Sequence, residues 1–328
     1  MTTISDLTSR HLGQASSDRS SCNAIPAHPN QWSANVATKP KTENLVQIFG
    51  HDEEDEEFEV VLAPRASKMD RSVAPVSPID LTGKPKLLFM VGRGGTGKTT
   101  LARWLGWRMA EQGRETLLAA LDPQNRSLVG WFTGVAQPVD GSVYETSKFL
   151  KQLIDDRIAQ RAGAILDFGG GDTSLTRLVE SHRDVSDMLV DAGIEPVAVY
   201  TVGTGVDDLA AMLLAEREGF LPRARMIVLN EARAPLGTPR ETAFRALMRS
   251  KAYQAAIQGG TMPIWMPALD AEVAADIERR RLTFGMARDG KVRDGMKSPP
   301  IGGLDRVGIG RWLSAMEEDF APVATWLP

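Results

Sequence analysis

Residues 92–100 read Gly92-Arg93-Gly94-Gly95-Thr96-Gly97-Lys98-Thr99-Thr100. The stretch fits the pattern G-x-x-x-x-G-K-[ST] and lies between an apolar segment at 87–91 and a helical pattern at 98–112. Glycines in such a loop let consecutive backbone N–H groups turn towards a phosphate, and the helix that follows directs its positive end at the same anion. We predict a loop that binds a nucleoside triphosphate, with Lys98 reaching the β- and γ-phosphates and Thr99 coordinating Mg²⁺. The predicted nucleotide-binding residues of this loop are Gly92, Gly94, Gly95, Thr96, Gly97, Lys98, Thr99 and Thr100.

Strand-like and helix-like segments alternate from residue 86 onward. Strand patterns occur at 87–91, 116–121, 162–168, 196–202, 225–230 and 262–266, and helical patterns at 98–112, 145–160, 206–218 and 238–256. Strands separated by helices favour an α/β fold, with a mostly parallel sheet flanked by helices on both faces. Ligands of such sheets bind beyond the carboxyl ends of the strands. The candidate loops are therefore those after Val91, Leu121, Leu166, Leu229 and Met266.

Charge divides the chain at about residue 80. Residues 1–80 carry 7 basic and 12 acidic side chains, and residues 81–328 carry 31 and 30. Adjacent like charges in the acidic run at 52–57 repel and resist compaction. We therefore predict a largely disordered acidic tail and linker over 1–80 and one folded domain over 81–328. Two apolar islands in the tail, 45–49 and 58–62, are candidates for a docking peptide or an added edge strand, although the simpler interpretation is a solubilising tail.

The overall composition excludes several classes of protein. The 328 residues carry a net charge of −4 and include one cysteine, Cys22. A single cysteine excludes a disulfide framework, a four-cysteine zinc site and a cysteine-ligated iron–sulfur cluster formed by one chain. No apolar run approaches the roughly 20 residues that cross a bilayer, and the first residues lack the pattern of a signal peptide. We expect a cytoplasmic protein.

The glycine-rich loop resembles the deviant Walker A motif, K-G-G-x-G-K-[ST], of the ParA/MinD family of ATPases. Four later segments are similar to family motifs in the same order: Leu121-Asp122-Pro123-Gln124-Asn125, Ile165-Leu166-Asp167-Phe168-Gly169-Gly170, Ile227-Val228-Leu229-Asn230 and Pro263-Ile264-Trp265-Met266-Pro267. The resemblance implies that ATP and Mg²⁺ are the cofactors. It implies that Asp122 positions the attacking water or a water on Mg²⁺, and that Asp167 contacts Mg²⁺ through water. It also implies that Asn230 and Pro267 contact the base.

Three positions depart from the family pattern. Arg93 stands where the family has a signature lysine that reaches the partner's phosphates in an ATP-sandwiched dimer. An arginine there either acts as a charge-stabilising finger or points into solvent. Ala120 replaces the first aspartate of the family's D-x-D-P-Q segment, which leaves Asp122. The glycine run at 169–171, after Asp167, suggests a mobile switch that senses the γ-phosphate.

Other members of the superfamily fit these residues less well. Signal-recognition GTPases read guanine with an Asn-Lys-x-Asp motif, whereas the corresponding strand end here reads Asn230-Glu231-Ala232-Arg233, which favours ATP. Nitrogenase iron proteins, iron–sulfur carrier ATPases and tail-anchored-protein targeting ATPases need cysteine pairs. MinD-type proteins end in a basic amphipathic helix that lies on membranes. The C-terminal helical stripe here is followed by an acidic face at 317–319, so we expect it to pack on the domain and do not expect a membrane role.

A basic segment follows in the second half of the domain. Residues 217–297 carry 15 basic and 9 acidic side chains. Non-specific DNA binding would use phosphate contacts that are sensitive to salt and carry no sequence information. The candidate residues for these contacts are Arg279, Arg280, Arg281, Arg288, Lys291 and Arg293. The alternative is a solvated helix face paired with Glu272, Asp276 and Glu278.

The resemblance favours an ATPase that forms a homodimer on ATP and acts in plasmid partition or conjugative DNA transfer. Hydrolysis would be slow and stimulated by an unidentified partner protein. Its catalytic residues would be Lys98, Asp122 and Arg93, and its metal-binding residues Thr99, Asp122 and Asp167. One alternative is a small-molecule ligase or kinase on the same fold, which needs a second substrate pocket. Another is a nucleotide-binding protein with little turnover, which the residues at positions 93 and 120 favour.

Overall fold

Six short segments form one parallel sheet in the part of the chain that the structure describes. The computed structural model describes residues 78–122, 128–295 and 297–328. The strands are β1 (Lys86–Val91), β2 (Leu117–Ala120), β3 (Ala164–Asp167), β4 (Glu195–Val202), β5 (Ala224–Asn230) and β6 (Met262–Met266). They lie in the order β2-β3-β1-β4-β5-β6, and every neighbouring pair is parallel. The parallel sheet predicted from the sequence is confirmed.

Helices occupy the connections between the strands and also follow the last strand. They are α1 (Lys98–Glu111), α2 (Val143–Gln160), α3 (Ser174–Ser181), α4 (Val185–Asp191), α5 (Ala210–Glu218), α6 (Arg240–Ala243), α7 (Arg245–Arg249), α8 (Lys251–Gln258), α9 (Ala271–Arg279), α10 (Phe284–Arg288) and α11 (Gly303–Asp319). Short 3₁₀ turns lie at Leu128–Gly130, Val206–Leu209, Glu231–Arg233 and Ala321–Trp326.

The sheet separates two hydrophobic cores, and β1 contributes to both because successive side chains of a strand point to opposite faces. Leu88 and Met90 join the core that includes α1, α9, α10 and α11. Leu87 and Phe89 join the core that includes α2, α3, α4, α5, α7 and α8. All four side chains are fully buried. A strand covered on both faces needs a continuous apolar run, which explains the composition of residues 87–91.

The sequence predicts a helical segment at 238–256, but the structure does not form one continuous helix there. The segment forms the three short helices α6, α7 and α8, with breaks at Phe244 (φ −95°, ψ 6°) and at Ser250 (φ −64°, ψ 144°). The extended backbone of Ser250 lets its hydroxyl accept a hydrogen bond from the N–H of Tyr253 at 3.2 Å, which caps α8. Capping by a serine thus ends one helix and starts the next. The helices α3 and α4, between β3 and β4, were also not predicted from the sequence.

The C-terminal helix packs on the domain, as predicted. In α11, the side chains of Ile309, Trp312, Leu313 and Met316 are buried in the core that they share with α1 and α10, and Phe320 follows them. No helix in the described ranges is long and apolar enough to span a membrane.

Two sets of sequence predictions lie outside the described residues. They concern the acidic tail with its two apolar islands, apart from residues 78–80, and the segment Pro123-Gln124-Asn125.

Candidate nucleotide-binding site

The glycine-rich loop joins the carboxyl end of β1 to α1. Because β1 lies between β3 and β4, the loops that leave those two strands flank it. Gly97 directly precedes α1 with a φ of 102°, a left-handed conformation that favours glycine. A side chain at Gly97 would also collide with the amide of Asn230. The sharp turn between strand and helix therefore depends on glycine here, in the arrangement expected of a phosphate-binding loop.

Lys98 folds back onto this loop. Its ammonium donates hydrogen bonds to the carbonyl oxygens of Gly92 (2.8 Å) and Arg93 (2.9 Å). Burial lowers the pKa of Lys98, while the charges of Asp167 and Asp122 act in the opposite direction. The structure thus brings the predicted lysine and both predicted aspartates into one electrostatic group.

Thr99 and Asp167 are in direct contact. The Thr99 hydroxyl, in the first turn of α1, donates a hydrogen bond to Oδ2 of Asp167 at the end of β3, with a distance of 3.0 Å. Asp167 is only 4% exposed, and its Oδ1 is buried without a hydrogen-bond partner among the described residues. Burial raises the pKa of Asp167 to about 6, against the opposing effects of the Thr99 hydrogen bond and of Lys98.

A Mg²⁺ ion fits this pair of side chains. In the described ranges, no group of three or more His, Cys, Asp or Glu side chains is arranged to hold a metal ion. An ion at the Thr99 hydroxyl would therefore complete its shell with phosphate oxygens and water, as Mg²⁺ does in many phosphate sites. The buried, unpartnered Oδ1 of Asp167 is an acceptor that such a water needs. When bound, the ion would neutralise charge on the phosphates.

Asp122 lies at the same edge of the sheet, directly after β2. Its carboxylate is beside the glycine run that follows β3, because a Cβ placed on Gly169 would be 3.1 Å from Cγ of Asp122. Burial raises the pKa of Asp172 in the same loop, and the charge of Asp122 adds to this increase. The structure therefore places Asp122 within the electrostatic group formed by Lys98, Asp167 and Asp172.

The glycine run packs against the phosphate-binding loop. A Cβ on Gly170 would collide with the backbone N of Gly94 and would lie 2.7 Å from its Cα. Two glycine backbones thus meet where any side chain would force them apart. Residues 169–172, which lie between β3 and α3 and pack against Gly94, are called the switch loop below.

Arg93 is at the mouth of the loop, and its side chain is 58% exposed. Its Nη1 lies 3.6 Å from Oδ1 of Asp208, in the segment after β4. The Thr201 hydroxyl, at the end of β4, is 2.8 Å from the Thr96 hydroxyl. Thr201 and Asp208 were not predicted from the sequence. Both residues lie at or beyond the carboxyl end of the strand predicted at 196–202. The rule that ligands bind at the carboxyl ends of parallel strands would have identified them.

Asn230 and Pro267 also lie at this edge of the sheet. The side-chain amide of Asn230 donates a hydrogen bond to the carbonyl of Thr96 (2.9 Å), and its oxygen accepts one from the N–H of Ala232 (3.1 Å). Asn230 thus braces the phosphate-binding loop, and its contact with a base stays a prediction. Pro267 follows Met266, whose side chain packs at Gly97. Pro267 lines a largely apolar cavity of about 290 Å³, together with Leu269, Val273, Ile309 and Trp312.

Most of the basic residues suggested for DNA contact are paired with carboxylates. Arg279 and Arg280 both pair with Asp276, Arg288 pairs with Glu111 and Asp289, and Lys291 pairs with Asp289. Asp276 is the one predicted carboxylate partner that pairs with the cluster in the described ranges. Arg293 donates to the carbonyl of Gly130 (3.2 Å), and Arg281, with a φ of 51°, lies beside the same glycine. Arg281 and Arg293 form no ion pair with any described residue.

Comparison with known proteins gives one family match. Residues 85–152 match the family model of the anion-transporting ATPases, which is less than half of the chain. The matched segment contains the phosphate-binding loop and runs into α2. No curated protein matches the chain.

The fold is similar to that of several FtsY structures. Cell division protein FtsY from Thermotoga maritima is 18% identical, covering 60% of this chain and 66% of that chain with a TM-score of 0.40. Chloroplast FtsY from Physcomitrella patens is 17% identical, covering 60% and 62% with a TM-score of 0.38. The signal recognition particle receptor FtsY from Elizabethkingia anophelis, in complex with GDP, is 19% identical, covering 56% of each chain with a TM-score of 0.35. The chain thus covers less than two thirds of the length of these proteins.

The glycine-rich loop, the parallel sheet and the family match together indicate a nucleotide-binding protein of the P-loop class.

Proposed function

We propose that the protein is an ATP-driven molecular switch of the ParA type. In this proposal, ATP and Mg²⁺ bind the phosphate-binding loop and close a homodimer, and slow hydrolysis, stimulated by a partner protein, opens it again. The dimer positions DNA in plasmid partition or conjugative transfer. The protein acts in the cytoplasm, without a membrane contact.

The observation that carries the proposal is the packing of Gly170 on Gly94, next to the exposed side chain of Arg93. In this proposal, a γ-phosphate held by the first N–H groups of the loop would occupy space that the switch loop takes up against Gly94. Its arrival would displace the switch loop and change the surface around Arg93. A phosphate-dependent change at one exposed surface is what a nucleotide-controlled interface requires.

Arg93 suits a contact across this interface. Its planar guanidinium matches two phosphate oxygens at once. Its exposed position leaves it accessible to a second subunit. We assign it the role that the signature lysine has in the family that the loop resembles.

The sequence at one strand end supports ATP as the nucleotide. The strand end that would read guanine carries Asn230-Glu231-Ala232-Arg233 and lacks both the lysine and the aspartate of that motif.

The DNA-binding part of the proposal depends on Arg281 and Arg293. Their guanidinium groups pair with no described carboxylate, whereas Arg279, Arg280 and Arg288 do. Phosphate oxygens would therefore meet less competition at these two arginines.

Light scattering with ATP, ADP or GTP and Mg²⁺ tests the proposal, with DNA affinity measured in the same samples. We expect ATP to double the molecular mass and to raise DNA affinity, and Arg93→Ala to abolish both effects while nucleotide still binds. Arg183→Ala is the matched control, because Arg183 is exposed and lies between α3 and α4. A protein that binds ATP and stays monomeric would contradict the proposal.

The family match favours a second candidate, an ATPase that moves an anion. The family that residues 85–152 match is described as anion-transporting ATPases. It predicts that ATP turnover rises when a panel of oxyanions is added, with no effect of DNA. The opposite pattern is expected of the DNA-positioning switch.

A further inference from the structure

Asp208 and Arg93 form an ion pair at the mouth of the phosphate-binding loop. We infer that Asp208 is a positioning residue for Arg93. It holds the guanidinium within its own subunit until a nucleotide-bound state draws the arginine away. The inference rests on the proposed role of Arg93 in ATP-driven dimerisation. It adds the residue that sets the ATP concentration needed for dimerisation.

The position of the Asp208 carboxylate is fixed by the protein. Its side chain is 15% exposed, and its Oδ2 accepts a hydrogen bond from the backbone N–H of Gly203 at 2.8 Å. Gly203 packs closely, because a Cβ there would be 2.9 Å from the same oxygen. The second oxygen, Oδ1, is left to face Arg93. Asp208 is thus a rigid acceptor that offers one oxygen to the arginine.

The backbone of Arg93 is equally well fixed. Its carbonyl oxygen accepts hydrogen bonds from the Thr96 hydroxyl (2.8 Å) and from the Lys98 ammonium (2.9 Å). Only the side chain is left to move, and within the described ranges Asp208 is the one carboxylate that pairs with it. Asp208 therefore favours one direction of the guanidinium.

The geometry of the pair suits a contact in which a phosphate can replace Asp208 as the partner of Arg93. The atoms are 3.6 Å apart and the guanidinium is mostly exposed, so the interaction contributes little and is screened by water. A phosphate can bind the same guanidinium with two charge-assisted hydrogen bonds, which are stronger. Asp208 therefore orients Arg93 in the nucleotide-free protein and yields it when phosphates become accessible.

The chain offers a matched control in the neighbouring residue. Asp207 is exposed and forms no ion pair with any described residue. Asp207→Asn and Asp208→Asn change the net charge equally, and only the second removes the partner of Arg93. The amide oxygen of an asparagine at 208 can still accept the Gly203 N–H, so the loop keeps its local hydrogen bond.

The first measurement is the ATP concentration at which half of the protein is dimeric. We expect Asp208→Asn to lower it about two- to fivefold, the range for the loss of one exposed ion pair. Asp207→Asn should leave it unchanged. In an Arg93→Ala background, Asp208→Asn should have no effect, since there is no side chain left to position. Equal effects of the two asparagine variants, or an effect that persists without Arg93, would overturn the inference.

The second measurement separates this inference from the proposed function. In a ¹⁵N-arginine spectrum of the full chain, the Nε–H signal of Arg93 is the one missing from Arg93→Ala. We expect it to shift in Asp208→Asn and to stay in place in Asp207→Asn, with no nucleotide added. If ATP leaves the wild type monomeric while this pattern holds, the proposed function fails and the positioning of Arg93 stands. If the signal does not respond to Asp208→Asn, the positioning role fails whatever ATP does.

Discussion

Gly170 packs its backbone against Gly94, and no side chain fits between them. We predict that Gly170→Ala raises affinity for the triphosphate at least fivefold and leaves affinity for the diphosphate almost unchanged. An added methyl at this contact disfavours the packed switch loop by about 1–3 kcal/mol. Triphosphate binding would then no longer have to displace that loop. Titration with fluorescent analogues of ATP and ADP measures both affinities.

Gly171 provides the control for this prediction. A Cβ on Gly171 meets no atom within 4 Å, so Gly171→Ala adds the same methyl to the same loop without a collision. We expect its affinities to match those of the wild type. If both alanine variants bind the triphosphate alike, the contact between Gly170 and Gly94 does not oppose nucleotide binding.

At the scale of the secondary-structure element, α1 is held by an arginine that is stacked between two aromatic rings. The guanidinium carbon of Arg103 lies 3.7 Å from the ring centroid of Trp131 and 4.9 Å from that of Phe284. Burial lowers the pKa of Arg103 to about 10, and its Nη2 has no hydrogen-bond partner in the described ranges. The side chain thus stabilises α1 through stacking, while its charge costs desolvation energy.

This balance gives a prediction for two substitutions. We expect Arg103→Ala to lower the free energy of unfolding by about 2–4 kcal/mol, because it leaves a cavity between the rings. Arg103→Met keeps the apolar stem in contact with the rings and removes the buried charge, so it should stay within about 1 kcal/mol of the wild type. Urea unfolding measures both. A methionine variant as unstable as the alanine variant would show that the charge itself stabilises α1.

Features that depend on neighbouring residues in the chain could be predicted from the sequence, whereas contacts between distant segments could not. The strands followed from apolar runs, and the loop from glycine spacing, since both signals are local in the chain. The contact of Thr96 with Thr201 was not predictable in this way, because it joins hydroxyls 105 residues apart. The pair of Arg93 and Asp208 is also non-local and depends on how the loops after β1 and β4 lie beside each other. The break at Ser250 was a local signal, a helix cap, that the longer helical pattern concealed.

For the whole molecule, the site is assembled at the carboxyl ends of β1, β2, β3, β4 and β5. Lys98, Asp122, Asp167, Asp208 and Asn230 lie at these strand ends or in the segments that follow them, and they meet around the phosphate-binding loop. Such a site exists only in the folded protein. Any nucleotide bound there must therefore stabilise the entire fold by mass action.

Nucleotide binding is therefore expected to raise the melting temperature of the protein. At about 100 times its dissociation constant, a nucleotide adds roughly 2.7 kcal/mol of stability, which for a domain of this size raises the Tm by about 5–10 °C. We expect ATP with Mg²⁺ to produce this shift and Lys98→Ala to lose it. Asp167→Asn can still accept the Thr99 hydrogen bond, so it should keep the shift from ATP alone and lose the increment from Mg²⁺. Thermal unfolding of the three proteins with ATP, with and without Mg²⁺, measures each part. If Lys98→Ala kept the full Tm shift, the nucleotide would have to bind elsewhere, because the loss of a cation buried in this loop must weaken the binding of an anion there.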